Sequence, residues 1–155
     1  MHTLTNGKSY QSGNTTLTVG KDLFQMNSSA SIINDPEKLK QTLADQGYLY
    51  FPNFYDTNEI SPVKAEIANM LASKGFLNPD KSPLNLEPNK DFTKSYLFKT
   101  EDVSQLPKYV NLVESKKIMS QMKKILNEEI FTYPYKWLRA VNKEAATGIH
   151  YDIVY

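Results

Sequence analysis

Ile149-His150-Tyr151-Asp152-Ile153-Val154-Tyr155 is the stretch on which the reading of this chain turns. It is rich in β-branched and aromatic residues and alternates in character, which predicts a strand. Side chains of a strand leave opposite faces in turn, so His150, Asp152 and Val154 share one side and Tyr151, Ile153 and Tyr155 the other. Residues two apart on one face are separated by about 7 Å at Cα, and an imidazole and a carboxylate can converge on one metal ion from that spacing. His-x-Asp on a strand is a way to supply two ligands of a two-histidine, one-carboxylate ferrous site that keeps positions open for co-substrate and dioxygen. As a bare motif, the pair fits a simpler reading better: a histidine hydrogen-bonded to a neighbouring carboxylate on a sheet.

Working upstream, Asn142 to Gly148 reads as a turn. Lys136-Trp137-Leu138-Arg139-Ala140-Val141 and Phe131-Thr132-Tyr133 read as strand, punctuated by Pro134. Before Asn127 the period changes from two to that of a helix. Ser115 to Asn127 carries Ile118, Met122, Ile125 and Leu126 on one face, and Pro107 to Val113 is a shorter helical segment. A longer helix is expected over Thr57 to Lys74, with Ile60, Val63, Ile67, Met70 and Leu71 as its apolar stripe and Gly75 as its stop. Pro62 either weakens its first turn or moves its start to Ser61. Asn78 to Asp91, with Pro79, Pro83 and Pro88 among polar residues, is a loop. Asp35-Pro36-Glu37 starts the first helix: an N-cap, then a proline where a missing N–H is harmless. Leu39 and Leu43 lie on its inner face, Gly47 ends it, and Tyr48 to Phe51 follows as a short strand.

Residues 1–33 are rich in Ser, Thr, Asn and Gly and bury too little to offset the cost of ordering, so they are expected to be a flexible polar leader. Leu17, Val19, Leu23 and Phe24 could make one short strand within it. Residues 34–155 then form the folded part. Helices first and strands last make an α+β fold.

Bulk composition excludes several classes of function. Eighteen basic against 17 acidic residues leave a net charge of +1, which gives no electrostatic basis for nucleic acid or an anionic membrane as partner. The chain has no cysteine, so thiolate zinc sites, disulfides and a cysteine nucleophile are ruled out. No apolar run suits a membrane span or a secretory signal, which makes the cytoplasm the default location. No phosphate-cradling glycine loop or nucleophile elbow is present.

With these residues in place, the chain resembles the phytanoyl-CoA dioxygenase family. The tryptophan strand, a short turn and Ile149-His150-Tyr151-Asp152 stand in the family's order. Gln46-Gly47-Tyr48-Leu49-Tyr50-Phe51 is similar to the opening of its catalytic domain, and the helix from Ile60 to Leu71 matches in place. The resemblance spans roughly residues 35–155. It implies a double-stranded β-helix, or jelly roll, flanked by helices. It also implies ferrous iron, 2-oxoglutarate and hydroxylation of a small-molecule substrate, with His150 and Asp152 as the first two iron ligands.

The chain departs from the family at the third ligand. Members carry a distal histidine and then an arginine that pairs with 2-oxoglutarate. His2, the one other histidine, precedes the catalytic domain and is not expected to bind metal. Arg139 is the sole arginine; it is either a solvated strand residue or a contact near the co-substrate. A jelly roll needs about eight strands, and only about four or five are readable. The expectation is therefore the N-terminal half of an Fe(II)/2-oxoglutarate oxygenase, incomplete as this chain alone. Its partner would be a missing C-terminal half, or a second copy joined at an exposed strand edge. The alternative is a non-catalytic relative that serves as an interaction or scaffold module.

Overall fold

The computed structural model describes residues 4–91 and 96–141. Within them the chain is α+β, with short antiparallel strand pairs set among helices. No helix among the described residues is long and apolar enough to cross a membrane.

The helices form where the sequence punctuates them. Helix α1, Pro36–Gln46, starts at Asp35, whose carboxylate accepts from the Lys38 N–H at 3.1 Å. It ends at Gly47, which takes a φ of +74°, a conformation that suits glycine. Helix α2, Thr57–Ser73, opens with a capping box in which Asp56 accepts from the Glu59 N–H and Glu59 accepts from the Asp56 N–H. Pro62 sits inside this helix, and the start stays at Thr57. At the other end the Gly75 and Phe76 N–H groups bond the carbonyls of Ala72 and Leu71, the paired bonds of a Schellman closure. Ser29 joins this helical layer to the connection after α1, because its N–H bonds Tyr50 O and its Oγ accepts from the Tyr50 N–H.

The loop after α2 is closed at its neck. Leu77 bridges Pro88, the Asn78 N–H bonds Glu87 O, and the Asn89 N–H bonds Phe76 O. A single 3-10 turn, Pro83–Asn85, packs back on α2. Strand β3, Tyr96–Leu97, then leads into α3, Thr100–Ser104, α4, Pro107–Val113, and α5, Lys116–Leu126. The core is a cluster of Leu71, Leu77, Phe98, Val103 and Leu106, with Leu138 and Ala140 packed against it.

Strand β4, Arg139–Ala140, pairs antiparallel with β3: Tyr96 faces Ala140 and Leu97 faces Arg139. The Phe98 N–H bonds Leu138 O and extends the ladder by one step. In the N-terminal stretch, β1, Ser9–Ser12, and β2, Thr15–Thr18, form a hairpin around Gly13.

Four expectations are corrected. Tyr48 to Phe51 forms no strand among the described residues, because the Tyr50 backbone is occupied by Ser29 rather than by a ladder. Phe131 to Tyr133 forms none either, and Phe131 and Tyr133 stand about three-quarters exposed. Leu17 to Phe24 is not one strand: Thr18 O collects the N–H groups of Lys21, Asp22 and Leu23, which turns the chain. Two stripe residues also lie outside the core, Ile60 at 41% exposure and Leu126 at 51%. On α5 the buried position is Gln121, which donates to Ile33 O at 3.2 Å and ties α5 to the entrance of α1.

Candidate functional site

His150 and Asp152, the expected metal ligands, lie outside the described residues, as does His2. Arg139 is described. It is exposed on β4, directly opposite Leu97, and has no hydrogen-bond or ion-pair partner among the described residues. Also among the described residues, no group of three or more His, Asp or Glu side chains is assembled in a way that could hold a metal ion.

The strand that leads toward His150 is two-sided. Leu138 and Ala140 turn inward onto the helical core, and Trp137, Arg139 and Val141 turn outward. On β3, Tyr96 faces inward and Leu97 outward, and Phe98 just beyond it faces inward again, as the alternation of a strand requires. The β3–β4 pair therefore carries helices on one face and offers an apolar, arginine-bearing face on the other.

Two polar clusters fix that pair to the helices. In the first, Asp102 is buried. One carboxylate oxygen meets Lys74 Nζ at 2.7 Å; the other accepts from the Tyr96 hydroxyl at 2.7 Å and the Lys99 N–H at 3.0 Å. The Lys74 ammonium first, and the Tyr96 hydroxyl second, hold the Asp102 carboxyl down at about 2. The same hydrogen bonds push Lys74 and Tyr96 up. Both carboxylate oxygens are fully engaged by protein groups, so this cluster works as a clamp joining α2, β3 and α3.

In the second cluster, Glu114 at the end of α4 accepts from Lys136 at 2.7 Å and from Thr132 Oγ1 at 2.6 Å. Both bonds hold the Glu114 carboxyl below its ordinary value, Lys136 contributing more. Lys136 also reaches Tyr133 O, and the Tyr109 hydroxyl donates to Trp137 O at 3.4 Å. Burial pushes the Tyr109 phenol up. Lys136, Pro134 and Glu114 line one wall of an open cavity of about 400 Å³ whose other wall is Val103, Pro107 and Val110.

A third arrangement explains the start of α4. Pro107 has no N–H to satisfy, and Glu66 on α2 accepts from the next two, Lys108 at 3.1 Å and Tyr109 at 3.0 Å. None of these contacts was readable from sequence. Glu66, Lys74 and Asp102 are ordinary charged residues, and what distinguishes them is the long-range pairing of Lys74 with Asp102 and of Glu66 with the N–H groups of Lys108 and Tyr109.

Comparison with protein-family models, with curated proteins and with solved structures finds no match to this chain.

Proposed function

We propose that this chain is the N-terminal half of an Fe(II)/2-oxoglutarate-dependent hydroxylase of phytanoyl-CoA dioxygenase type. The carrying observation is His150-x-Asp152, one turn downstream of the tryptophan strand and in the family's order. An imidazole and a carboxylate make a donor set that suits ferrous iron. The two-sided β3–β4 pair supports the reading, since each sheet of a jelly roll has one face that packs on the opposing sheet. When bound, the iron with 2-oxoglutarate would supply the oxidising power. The protein would hold the ion with open positions and shape a pocket that excludes water.

Two protein ligands lie in this chain. The third, with the arginine that pairs with the co-substrate, would come from a C-terminal half. Arg139 is a candidate for a supporting contact to 2-oxoglutarate, because it is exposed on the outward face of β4 and unpaired among the described residues. Its position before the histidine pair differs from the family's order. The substrate would be a small molecule, held mostly by residues of the other half.

Anaerobic titration with ferrous iron tests the reading. Micromolar binding that disappears in both His150→Ala and Asp152→Ala supports it. A folded chain that takes up no iron, or binds it equally well in both variants, contradicts it and favours a non-catalytic interaction module.

A further inference from the structure

Asn6-Gly7 is the one Asn-Gly pair in the sequence. Both residues are exposed, and they form the centre of a turn that closes when the Lys8 N–H bonds Thr5 O at 3.1 Å. Gly7 takes a φ of +79° and Asn6 lies outside the positive-φ region, which makes the turn type II. The turn is tied to the chain that leaves β2. The Gly7 N–H bonds Val19 O at 3.0 Å, the Val19 N–H bonds Lys8 O at 2.9 Å, and Val19 itself is buried. The Asn6 carboxamide rests on Gly20: a methyl group added there would lie 1.9 Å from Asn6 Oδ1 and 3.0 Å from Asn6 Cγ.

An asparagine followed by glycine carries its own reaction, because the glycine has no Cβ to block approach of its backbone nitrogen to the side chain before it. Here a bond forms between Gly7 N and Asn6 Cγ, the Asn6 Cγ–Nδ2 bond breaks, and ammonia leaves with the proton that Gly7 gives up. Water then opens the five-membered ring. Attack at Cγ gives aspartate; attack at the backbone carbonyl carbon gives isoaspartate, whose main chain runs through Cβ. One water is consumed, one ammonia is released, and nothing is oxidised or reduced. The turn opposes this chemistry in two ways. Ring closure brings Asn6 Cβ, Cα and C and Gly7 N into one plane, which needs a ψ of about −120° at Asn6, whereas a type II turn sets it at about +120°. The attacking nitrogen must also release a proton that it donates to Val19 O.

We propose that Asn6-Gly7 is a modification site gated by the hairpin. It is protected while the turn is docked on Val19 and Gly20, and it converts to isoaspartate and aspartate when this end of the chain opens. A two-stranded hairpin is marginally stable in water, so such openings recur on the timescale of a slow reaction. Isoaspartate adds a carboxylate and one backbone carbon inside the Thr5–Lys8 turn, so the closing hydrogen bond cannot reform in the same register. The conversion therefore records opening in one direction. It does not depend on iron, and either proposal can fail without the other.

The test uses the full 155-residue chain, incubated at mildly alkaline pH in native buffer and in concentrated guanidinium chloride. Peptide mapping across residues 4–10 reads aspartate and isoaspartate at position 6, and ammonia release gives the rate. Conversion is expected to be about tenfold slower, or more, in the native chain than in denaturant, since each backbone hydrogen bond broken on opening is worth roughly a factor of two to ten. Gly20→Ala places a methyl group where the Asn6 carboxamide lies, and is expected to move the native rate most of the way to the denatured one. Asn6→Gln, which would need a larger ring, is expected to remove the signal. Equal rates in native buffer and in denaturant overturn the proposal. So does a Gly20→Ala chain that converts as slowly as the unmodified protein, or an Asn6 that stays unconverted in denaturant.

Discussion

The helical layer and the aromatic segment from Phe131 to Val141 both carry large apolar side chains, and they use them differently. In the helical layer Phe98, Leu106 and Leu39 are almost wholly sealed from solvent, and capping groups satisfy the helix ends. In the aromatic segment Phe131, Tyr133, Tyr135 and Trp137 are mostly exposed; only the alternating Leu138 and Ala140 reach the core. The first region is stabilised from within. The second is anchored at a few points and leaves a face for something else to cover. Hydrophobic content therefore does not locate the core of this chain; the surfaces that oppose each side chain do.

Substitutions should separate the two regions sharply. Phe98→Ala removes a ring from the centre of the helical layer and is expected to cost about 4 kcal/mol, read from the shift in urea midpoint. An effect below about 1 kcal/mol would mean that the layer is far looser than its burial indicates.

Asp102→Asn breaks the clamp between α2 and β3 and should cost about 2 kcal/mol near neutral pH, because Lys74 and Tyr96 lose a charged acceptor. Its pH dependence has a definite sign. The carboxyl is held at about 2 in the folded chain against an ordinary 3.8, so the folded state binds this proton less readily than the unfolded state. The stabilisation is complete above about pH 4 and fades as the pH falls toward 2. Urea midpoints at both ends of that window should differ less in Asp102→Asn than in the parent; equal slopes would remove the clamp from the account.

Glu66→Ala uncaps α4 by leaving the Lys108 and Tyr109 N–H groups without their acceptor, and is expected to cost about 1 kcal/mol. Trp137→Ser should change the stability of the single chain by less than about 0.5 kcal/mol, as an exposed position allows. If Trp137→Ser proves as damaging as Phe98→Ala, the contrast between the two regions collapses.

The legible and illegible parts of the fold follow from the range of the interactions involved. Helices α1, α2, α4 and α5 could be read because their signals are local: Asp35 with Pro36, the stop at Gly47, the apolar stripe ending at Gly75. Strands were legible only in part, since what makes a strand is a partner: β4 falls inside the stretch Lys136 to Val141 read as strand, whereas β1 and β3 were not read. Tyr48 to Phe51 has strand composition, yet its backbone goes to Ser29. Arg139 and Ala140 become a strand only because Tyr96 and Leu97 lie beside them. Helix α3 escaped notice because it is one turn long and owes its place to the Asp102 clamp. The hairpin at Ser9–Thr18 is built from polar residues whose pairing composition does not advertise. Of the candidate site, Arg139 is placed on the outward face of β4, and the imidazole–carboxylate pair lies outside the described residues.

The central proposal is that His150 and Asp152 supply two ligands to a ferrous-type ion. The most direct test is to add Mn(II), an oxygen- and nitrogen-ligated stand-in for ferrous iron, to isotope-labelled protein and record which backbone amide resonances broaden. Broadening centred on residues 149–153 is the predicted result. No broadening, or broadening confined to acidic surface positions such as Glu128 and Glu129, would contradict the claim.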